Sequence, residues 1–311
     1  MSLENLVWAE KWRPTSVDEC ILPPAITKMI KEQIKSGTVP NYLFNGAPGV
    51  GKTTVAYAIA AELEADVLFI NASLDGNIDT LRNKITQFVS TVSFTNSRKV
   101  VLMDEFDYVT AQTQPAMRGF LDQFSDNAIF ILTCNYPNRI IDPLKSRLTC
   151  IEFKFTKEEK QPAALQMLKR VCMILENERI EYDKKSVAGL ITRNFPDFRR
   201  TLVELQRYSS SGVIDSGILS NTDETGLNDL VLSLKEKNFA KCRQWVANSS
   251  MDSSQFYRLF YDKISPLLMS ASVPQMILLA ADYGFKASHS VDQEINQTAF
   301  LVSFMTSCTF K

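Results

Sequence analysis

The sequence predicts an α/β fold in which a parallel, doubly wound sheet comes first and helices follow. Three observations carry that prediction. Short apolar runs alternate with stretches of helical spacing up to about residue 155. A glycine-rich turn, Gly46-Ala47-Pro48-Gly49-Val50-Gly51-Lys52-Thr53-Thr54, joins one such run to a helical stretch. From Thr156 the apolar period becomes helical and stays so to the end of the chain. The expected domains are residues 1–155, a sheet domain; 156–225, a small helical domain; and 226–311, an all-helical C-terminal domain.

Residues 7–21 hold Trp8, Trp12 and Arg13-Pro14 and read as a tethered N-terminal segment, either a packed arm or an extended aromatic wall of a base pocket. A helix follows from Pro24 to Ser36, stopped by Gly37. Tyr42-Leu43-Phe44 is the first buried strand, and the turn after it leads into a helix covering Val55 to Leu63. Val67-Leu68-Phe69-Ile70 is the next strand. Ile78 to Val92 has helical spacing, with Ile78, Leu81, Ile85 and Phe88 on one face. Lys99 to Met103 is a buried parallel strand that delivers Asp104 and Glu105 at its end. A helix over about Ala111–Phe124 places Gln114 and Arg118 one turn apart on one face. Ala128 to Thr133 is a strand ending in Cys134-Asn135, a short helix starts within Ile140–Arg147, and Cys150 to Phe155 closes the set.

Beyond it, helices are expected at Lys157–Asn177, with Pro162 in the first turn, and at Lys184–Asn194 and Asp197–Tyr208. Ser209 to Gly212 breaks the pattern, and Ser216 to Gly226 has the polarity of a linker. Amphipathic segments then run over Leu227–Lys237, Phe239–Asn248, Ser253–Leu268, Val273–Tyr283 and Val291–Phe310. They carry no cluster of catalytic residue types, so packing or oligomerisation is their expected purpose.

Composition narrows the function classes. A chain of 311 residues, 45% hydrophobic and 22% charged, matches an ordinary multi-domain soluble protein. No apolar run is long enough to span a membrane, so no membrane partner is expected, and Met1 to Asn5 lack the blocks of a signal peptide. Six cysteines without a C-x-x-C pair, with His289 as the one histidine, make a zinc site of the usual spacing unexpected. Reduced cysteines in a cytoplasmic protein are the expectation. A net charge of −1 excludes a global basic field and leaves room for a local basic groove.

The glycine-rich turn fits G-x-x-x-x-G-K-[ST], the P-loop, and it sits between strand and helix as that chemistry requires. Its glycines let backbone N–H groups curl around phosphate oxygens, and the helix N-terminus adds partial positive charge. The chain is therefore expected to bind ATP or a similar nucleoside triphosphate through Gly49, Val50, Gly51, Lys52, Thr53 and Thr54. Lys52 would reach the β- and γ-phosphates, and Thr53 would ligate Mg²⁺. About fifty residues on, Asp104 and Glu105 fit a Walker B pattern with a second acid. Asp104 would join the Mg²⁺ shell, and Glu105 would orient and deprotonate the attacking water. Asn135, on a neighbouring strand end, is either a water-positioning amide or a plain turn residue.

Six stretches occur in a fixed order: Trp8-Ala9-Glu10-Lys11-Trp12-Arg13-Pro14, the P-loop, Met103-Asp104-Glu105-Phe106-Asp107, Thr133-Cys134-Asn135, Leu144-Lys145-Ser146-Arg147 and Phe195-Pro196-Asp197-Phe198-Arg199-Arg200. Together they resemble the AAA+ ATPase subunits of sliding-clamp loaders, the replication factor C small-subunit group. Asp18 to Leu22 and Asn194 to Arg199 look most similar to the T-even-type bacteriophage branch. The motifs cover about residues 8–212, and the C-terminal third matches in length and helical character only.

The resemblance implies roles. Ala9, Glu10, Lys11 and Trp12, with Ile21, match the family's adenine-contacting segment. Asn135 matches sensor 1 and Arg199 matches sensor 2. Arg147 stands where the family has an arginine finger acting on a neighbour's ATP, although Leu148 follows it where the family commonly has cysteine. Gln114 and Arg118 match residues that couple DNA or neighbouring subunits to the ATP site, with a plain surface helix residue as the other reading of Arg118. Asn71-Ala72-Ser73 with Asn77 to Lys84 matches a stretch facing primer–template DNA, which makes Arg82 and Lys84 either DNA contacts or solvated helix charges. Phe88 to Phe94 is either a clamp contact or core.

The implied function is the ATPase motor of a clamp loader, which opens a ring-shaped clamp and loads it on primer–template DNA. The implied partners are further copies of the chain, a distinct clamp-loader subunit, the sliding clamp and DNA, with the C-terminal helices as a collar. The implied location is the cytoplasm, the host's if the chain is phage-encoded. The alternatives are an AAA+ DNA remodeller or helicase loader, and a nucleotide-binding subunit that never hydrolyses.

Overall fold

The computed structural model describes residues 7–74, 78–91, 98–210, 212–220, 224–249 and 251–311. The chain divides into two compact units, Met1–Leu219 and Ser220–Lys311.

In the first unit the elements are α1 (Trp8–Lys11), α2 (Pro24–Ser36), β1 (Tyr42–Asn45), α3 (Lys52–Glu62), β2 (Asp66–Asn71), α4 (Ile78–Ser90), β3 (Lys99–Asp104), α5 (Gln114–Phe124), β4 (Ile129–Cys134), α6 (Asp142–Lys145) and β5 (Thr149–Glu152). They are followed by α7 (Lys157–Asn177), β6 (Glu181–Tyr182), α8 (Lys184–Asn194), α9 (Phe198–Ser209) and β7 (Val213–Ile214), with α10 (Gly217–Ser220) at the boundary. Strands β2-β3-β4-β1-β5 form one parallel sheet in that order.

Neighbouring residues of one strand serve opposite cores, as the two-residue period of a strand requires. Leu43, Val101, Met103, Phe130 and Leu132 pack with Leu81, Ile85 and Val89 of α4 and with Met117, Phe120 and Leu121 of α5. Tyr42, Phe44, Val100, Leu102 and Ile131 pack instead with Ile30 of α2 and with Val55, Ala56 and Ile59 of α3. Both faces of the sheet are covered, which is why its inner strands, β1, β3 and β4, are near-continuous apolar runs. The carboxyl ends of β1, β3 and β4 share one edge, where α/β sheets bind ligands.

Helices α7, α8 and α9 close around Met167, Val171, Ile174, Val187, Leu190 and Leu205. Trp8 inserts into this same core, and its backbone N–H donates to Gln206 Oε1 at 2.8 Å. Residues 8–11 form one helical turn, and the arm is packed, since burying the Trp8 indole against the helices outweighs the freedom of a loose segment. Helix α7 opens with a reciprocal capping box between Thr156 and Glu159. Its Pro162 is the sixth residue, in the second turn rather than the first, and the helix nonetheless runs unbroken to Asn177. Helix α5 begins at Gln114 rather than Ala111. Pro115 fits a first turn, but its ring would strike the carbonyl of residue 111 in a longer helix. The β6–β7 pair, two residues each, has no signature in the apolar pattern.

The second unit comprises α11 (Glu224–Lys235), α12 (Phe239–Asn248), α13 (Ser253–Leu259), α14 (Ser272–Ala287) and α15 (Gln293–Ser307). Helical structure at Gly217–Ser220 and from Glu224 occupies much of the stretch expected as linker. The helix expected over Ser253–Leu268 instead ends at Leu259, then widens to a π-turn at Phe260–Ile264 and tightens to a 3₁₀ turn at Ser265–Leu267. Pro266 explains the change, since it lacks the amide that an α-helix would need there. The core is aromatic: Phe300 meets Phe256, Tyr257 and Phe260 edge-to-face at 4.8–5.6 Å.

Candidate active site

The site begins where β1 stops. Gly49 has φ +75° and Gly51 has φ +93°, a region that side-chain-bearing residues rarely occupy. A Cβ on Gly49 would also lie 1.8 Å from Asp197 Oδ1, so the turn needs glycine for space as well as for conformation. The Phe198 N–H donates to the Gly49 carbonyl at 3.0 Å, seating the start of α9 directly on the turn. The N-terminus of α3 then points into a cleft of about 1110 Å³, open solvent included.

Lys52, the first residue of α3, is buried. Its ammonium donates to the carbonyls of Gly46 (2.8 Å) and Ala47 (2.9 Å) and to Asn135 Oδ1 (2.9 Å). Burial holds its pKa below the ordinary lysine value, with the charges of Asp104 and Asp107 pulling the other way. An ammonium borrowing three neutral oxygens is set up to trade them for phosphate oxygens, which bind it more strongly.

The acids come from the end of β3. Thr53 Oγ1 donates to Asp104 Oδ1 at 2.8 Å, which puts a hydroxyl and a carboxylate side by side. That donor pair is the one Mg²⁺ takes beside phosphate oxygens and water. Among the described residues no group of three or more acidic, histidine or cysteine side chains converges. Glu105 lies in the left-handed region, φ +56° and ψ +40°, which is unusual for a residue with a side chain. The Thr133 hydroxyl accepts from the Glu105 N–H (3.2 Å) and donates to Asp104 Oδ1 (2.5 Å).

Asn135 follows β4, and its position is set by Asp107. One Asp107 carboxylate oxygen accepts from the N–H groups of Asn135 (3.2 Å) and Tyr136 (3.1 Å), while the other is buried and has no hydrogen-bond partner among the described residues. Beneath the turn, burial pushes the Cys134 thiol up to about 12, which leaves it a neutral packing group.

The cleft is lined by Ala9, Trp12, Ile21, Gly49, Val50, Gly51, Lys52, Thr53, Thr54, Asp104, Glu105, Asn135 and Arg199. These thirteen sequence-selected residues are therefore brought together. Glu10 and Lys11 are not among the lining residues: Glu10 pairs with Arg13, and Lys11 pairs with Glu178 at 2.8 Å. Successive residues of a helical turn point about 100° apart, so Ala9 and Trp12 share a side that Glu10 and Lys11 do not. Trp12 is fixed by α7 and its C-cap, its indole N–H donating to Glu178 Oε1 (2.6 Å) and its carbonyl accepting from Arg170 (2.8 Å).

Arg147 does not line the cleft. Its Nε donates to Asp122 Oδ1 (2.8 Å) and its Nη1 to the Pro143 carbonyl (2.9 Å). Arg118, half-exposed, lies 3.9 Å from the other oxygen of Asp122. Gln114, one turn before Arg118 in the same helix, is fully buried. Its amide donates to the carbonyls of Val109 and Arg139 and accepts from the Ile141 N–H, all at 2.9–3.0 Å. One side chain thus joins the segment after Glu105 to the segment that leads into α6. Arg82 and Lys84 are exposed on α4, with the Arg82 guanidinium 5.8 Å from the Phe120 ring centre. Phe88 is partly buried against the core, whereas Asn77 and residues 92–94 lie outside the described residues.

Sequence reasoning gave no role to Thr133, Asp107, Asp122 or Arg170. A hydroxyl in an otherwise apolar strand, two residues before Asn135, was the available signal for Thr133.

Fold and site together define a P-loop ATPase of the AAA+ class. Residues 42–157 match the family model of ATPases associated with various cellular activities, and residues 159–220 match that of the sliding-clamp-loader large subunit, AAA+ ATPase lid domain. The chain is 39% identical to the sliding-clamp-loader large subunit of Escherichia phage RB69 over 267 residues, 83% of each chain. It is 34% identical to the replication factor C small subunit of Sulfurisphaera tokodaii over 319 residues, covering 97% of this chain and 96% of the other. The structure of the Thermotoga maritima RuvB Holliday junction branch migration motor superposes with a TM-score of 0.54 at 16% identity, over 93% and 90% of the two chains, a likeness of fold alone. The chain belongs to the sliding-clamp-loader ATPase family and is an ATP hydrolase. The family relatives favour a clamp-loader motor over a remodeller or helicase loader. Among the described residues no helix is long and apolar enough to cross a membrane.

Proposed function

We propose that the chain hydrolyses ATP in a cleft shared between two copies, and that this reaction drives the opening and loading of a ring-shaped clamp on primer–template DNA. The observation that carries the reading is a division of labour. Lys52, Thr53, Asp104, Glu105, Asn135 and Arg199 face one cleft, while Arg147 stands outside its lining with its guanidinium on a surface carboxylate.

In this reading the adenine lies against Ala9, Trp12 and Ile21, and the phosphates lie along residues 49–54. Lys52 gives up its carbonyl partners for the β- and γ-phosphates, and Arg199 approaches from the start of α9. Mg²⁺, held by Thr53 and Asp104, would neutralise developing charge on the phosphate oxygens. Glu105 orients the attacking water and accepts its proton, and Asn135 places that water against the γ-phosphate. Arg147 completes the site of the adjacent copy, where a guanidinium stabilises the transition state.

Residues 156–225 act as the lid, and residues 226–311 form the collar that joins further copies and a distinct partner subunit. Gln114 and Arg118 relay the arrival of DNA or a neighbour, Gln114 through its three backbone bonds. Arg82 and Lys84 offer charge to DNA phosphates from the exposed side of α4.

A mixed-subunit assay tests the shared cleft. Copies carrying Arg147→Ala and copies carrying Glu105→Gln are each inactive in this reading. Mixed together, they place an intact Glu105 beside an intact Arg147 at some interfaces and regain part of the activity. No recovery on mixing would place the arginine in its own chain's site and sink the proposal.

A further inference from the structure

The residues proposed to activate water are not self-supporting. Glu105 sits in a left-handed conformation that costs a side-chain-bearing residue stability, and it must be held there. Its own segment supplies one restraint, the bond from the Tyr108 N–H to the Glu105 carbonyl at 3.0 Å. The other comes from a different strand: the N–H of Glu105 donates to Thr133 Oγ1 of β4.

Thr133 is 1% exposed, in a strand whose other members from Phe130 to Cys134 are apolar and buried. A buried hydroxyl has one proton and two lone pairs to place. Here the proton goes to Asp104 Oδ1 and a lone pair to the Glu105 N–H, so one oxygen contacts both neighbouring acids. Asp104 Oδ1 also accepts from Thr53. Two hydroxyls on one carboxylate oxygen fix the rotation of that carboxylate and leave its Oδ2 outside these bonds. The side chain of Asn135, two residues after Thr133, holds Lys52, so the same strand end serves both the carboxylate and the ammonium sides of the cleft.

We infer that Thr133 is a positioning residue for ATP hydrolysis, which sets Asp104 and Glu105 relative to one another through its single hydroxyl. The inference rests on the proposed roles of Asp104 and Glu105. It predicts a defect in turnover rather than in nucleotide capture, because Lys52 and the glycine-rich turn are untouched by the hydroxyl.

The test compares Thr133→Val, which keeps the branched shape and deletes the hydroxyl, with Thr133→Ser, which keeps the hydroxyl and deletes the methyl. Steady-state hydrolysis and the Kd of a fluorescent ATP analogue are measured on the full chain in its assembled complex, beside Glu105→Gln. The expected result is a kcat lowered roughly ten- to a hundred-fold in Thr133→Val with Kd changed less than about threefold. Thr133→Ser should recover to within about threefold of the unaltered protein. Should the valine variant not fold, Thr133→Cys, similar in volume but a weak donor and acceptor, is expected to lower kcat at unchanged Kd. Normal turnover in Thr133→Val beside an inactive Glu105→Gln would overturn this inference alone. Equal losses in the valine and serine variants, or parallel losses of Kd and kcat, would overturn it in favour of packing. Normal turnover in Glu105→Gln would instead overturn the site assignment beneath it.

Discussion

The Lys52 ammonium donates to the side-chain oxygen of Asn135 at 2.9 Å, joining the start of α3 to the end of β4 across 83 residues of sequence. Two groups proposed for one phosphate are thus paired with each other before any phosphate is bound. If Lys52 pairs with the nucleotide, Lys52→Ala loses a charge-assisted contact of about 1.5–3 kcal/mol. Binding of a fluorescent ATP analogue should then weaken roughly ten- to a hundred-fold, as equilibrium titration would show. Unchanged affinity would remove Lys52 from the phosphate site.

The burial of Lys52 also sets a pH dependence. Unfolded, the side chain titrates near the ordinary value of 10.5; folded and without nucleotide, it titrates lower. Between those two values the unfolded chain binds more protons, so this group makes stability rise with pH across the window. Below the folded value both states are charged and the cost of the buried ammonium is constant. Urea midpoints at pH 8 and pH 10 should show the unaltered protein gaining on Lys52→Met as the pH rises. A parallel response of the two proteins would contradict the buried charge.

Glu105→Gln keeps shape and removes the base. Affinity for the ATP analogue should stay within about threefold, while kcat falls about 10²–10⁴-fold, the range for general-base catalysis. Phosphate release assays beside equilibrium binding would separate the two effects.

The two compact units should also separate energetically. Phe300 is fully buried among Phe256, Tyr257, Phe260 and Phe304, and truncating such a ring costs about 3–5 kcal/mol. Phe300→Ala should lower the denaturation midpoint of residues 220–311. Nucleotide affinity should persist, since every residue lining the cleft lies within Met1–Leu219. Loss of nucleotide binding in this variant would show that the first unit depends on the second.

What was legible in the sequence is what the chain places contiguously. Lys52 and Thr53 follow from the spacing of one turn, and Asp104 with Glu105 from an apolar strand ending in acids. The alternation of strands and helices disclosed the sheet because its inner strands, β1, β3 and β4, are buried on both faces. Thr133 and Asp107 act across strands, and the pairing of β3 with β4 that brings them together is a product of the fold. Asp122 and Arg147 meet across 25 residues for the same reason. Glu10 and Lys11 stood within a motif of the right composition, but a single helical turn directs them to Arg13 and Glu178. The two-residue strands β6 and β7 and the π-turn at Phe260–Ile264 are too short to leave a period.

The most direct measurement is steady-state ATP hydrolysis by the assembled complex, with and without primer–template DNA and the cognate clamp. A clamp-loading motor should be strongly stimulated when both are present, by more than the product of their separate effects. Arg147→Ala should abolish that stimulation. Stimulation by DNA alone, indifferent to the clamp, would contradict a clamp-loading motor.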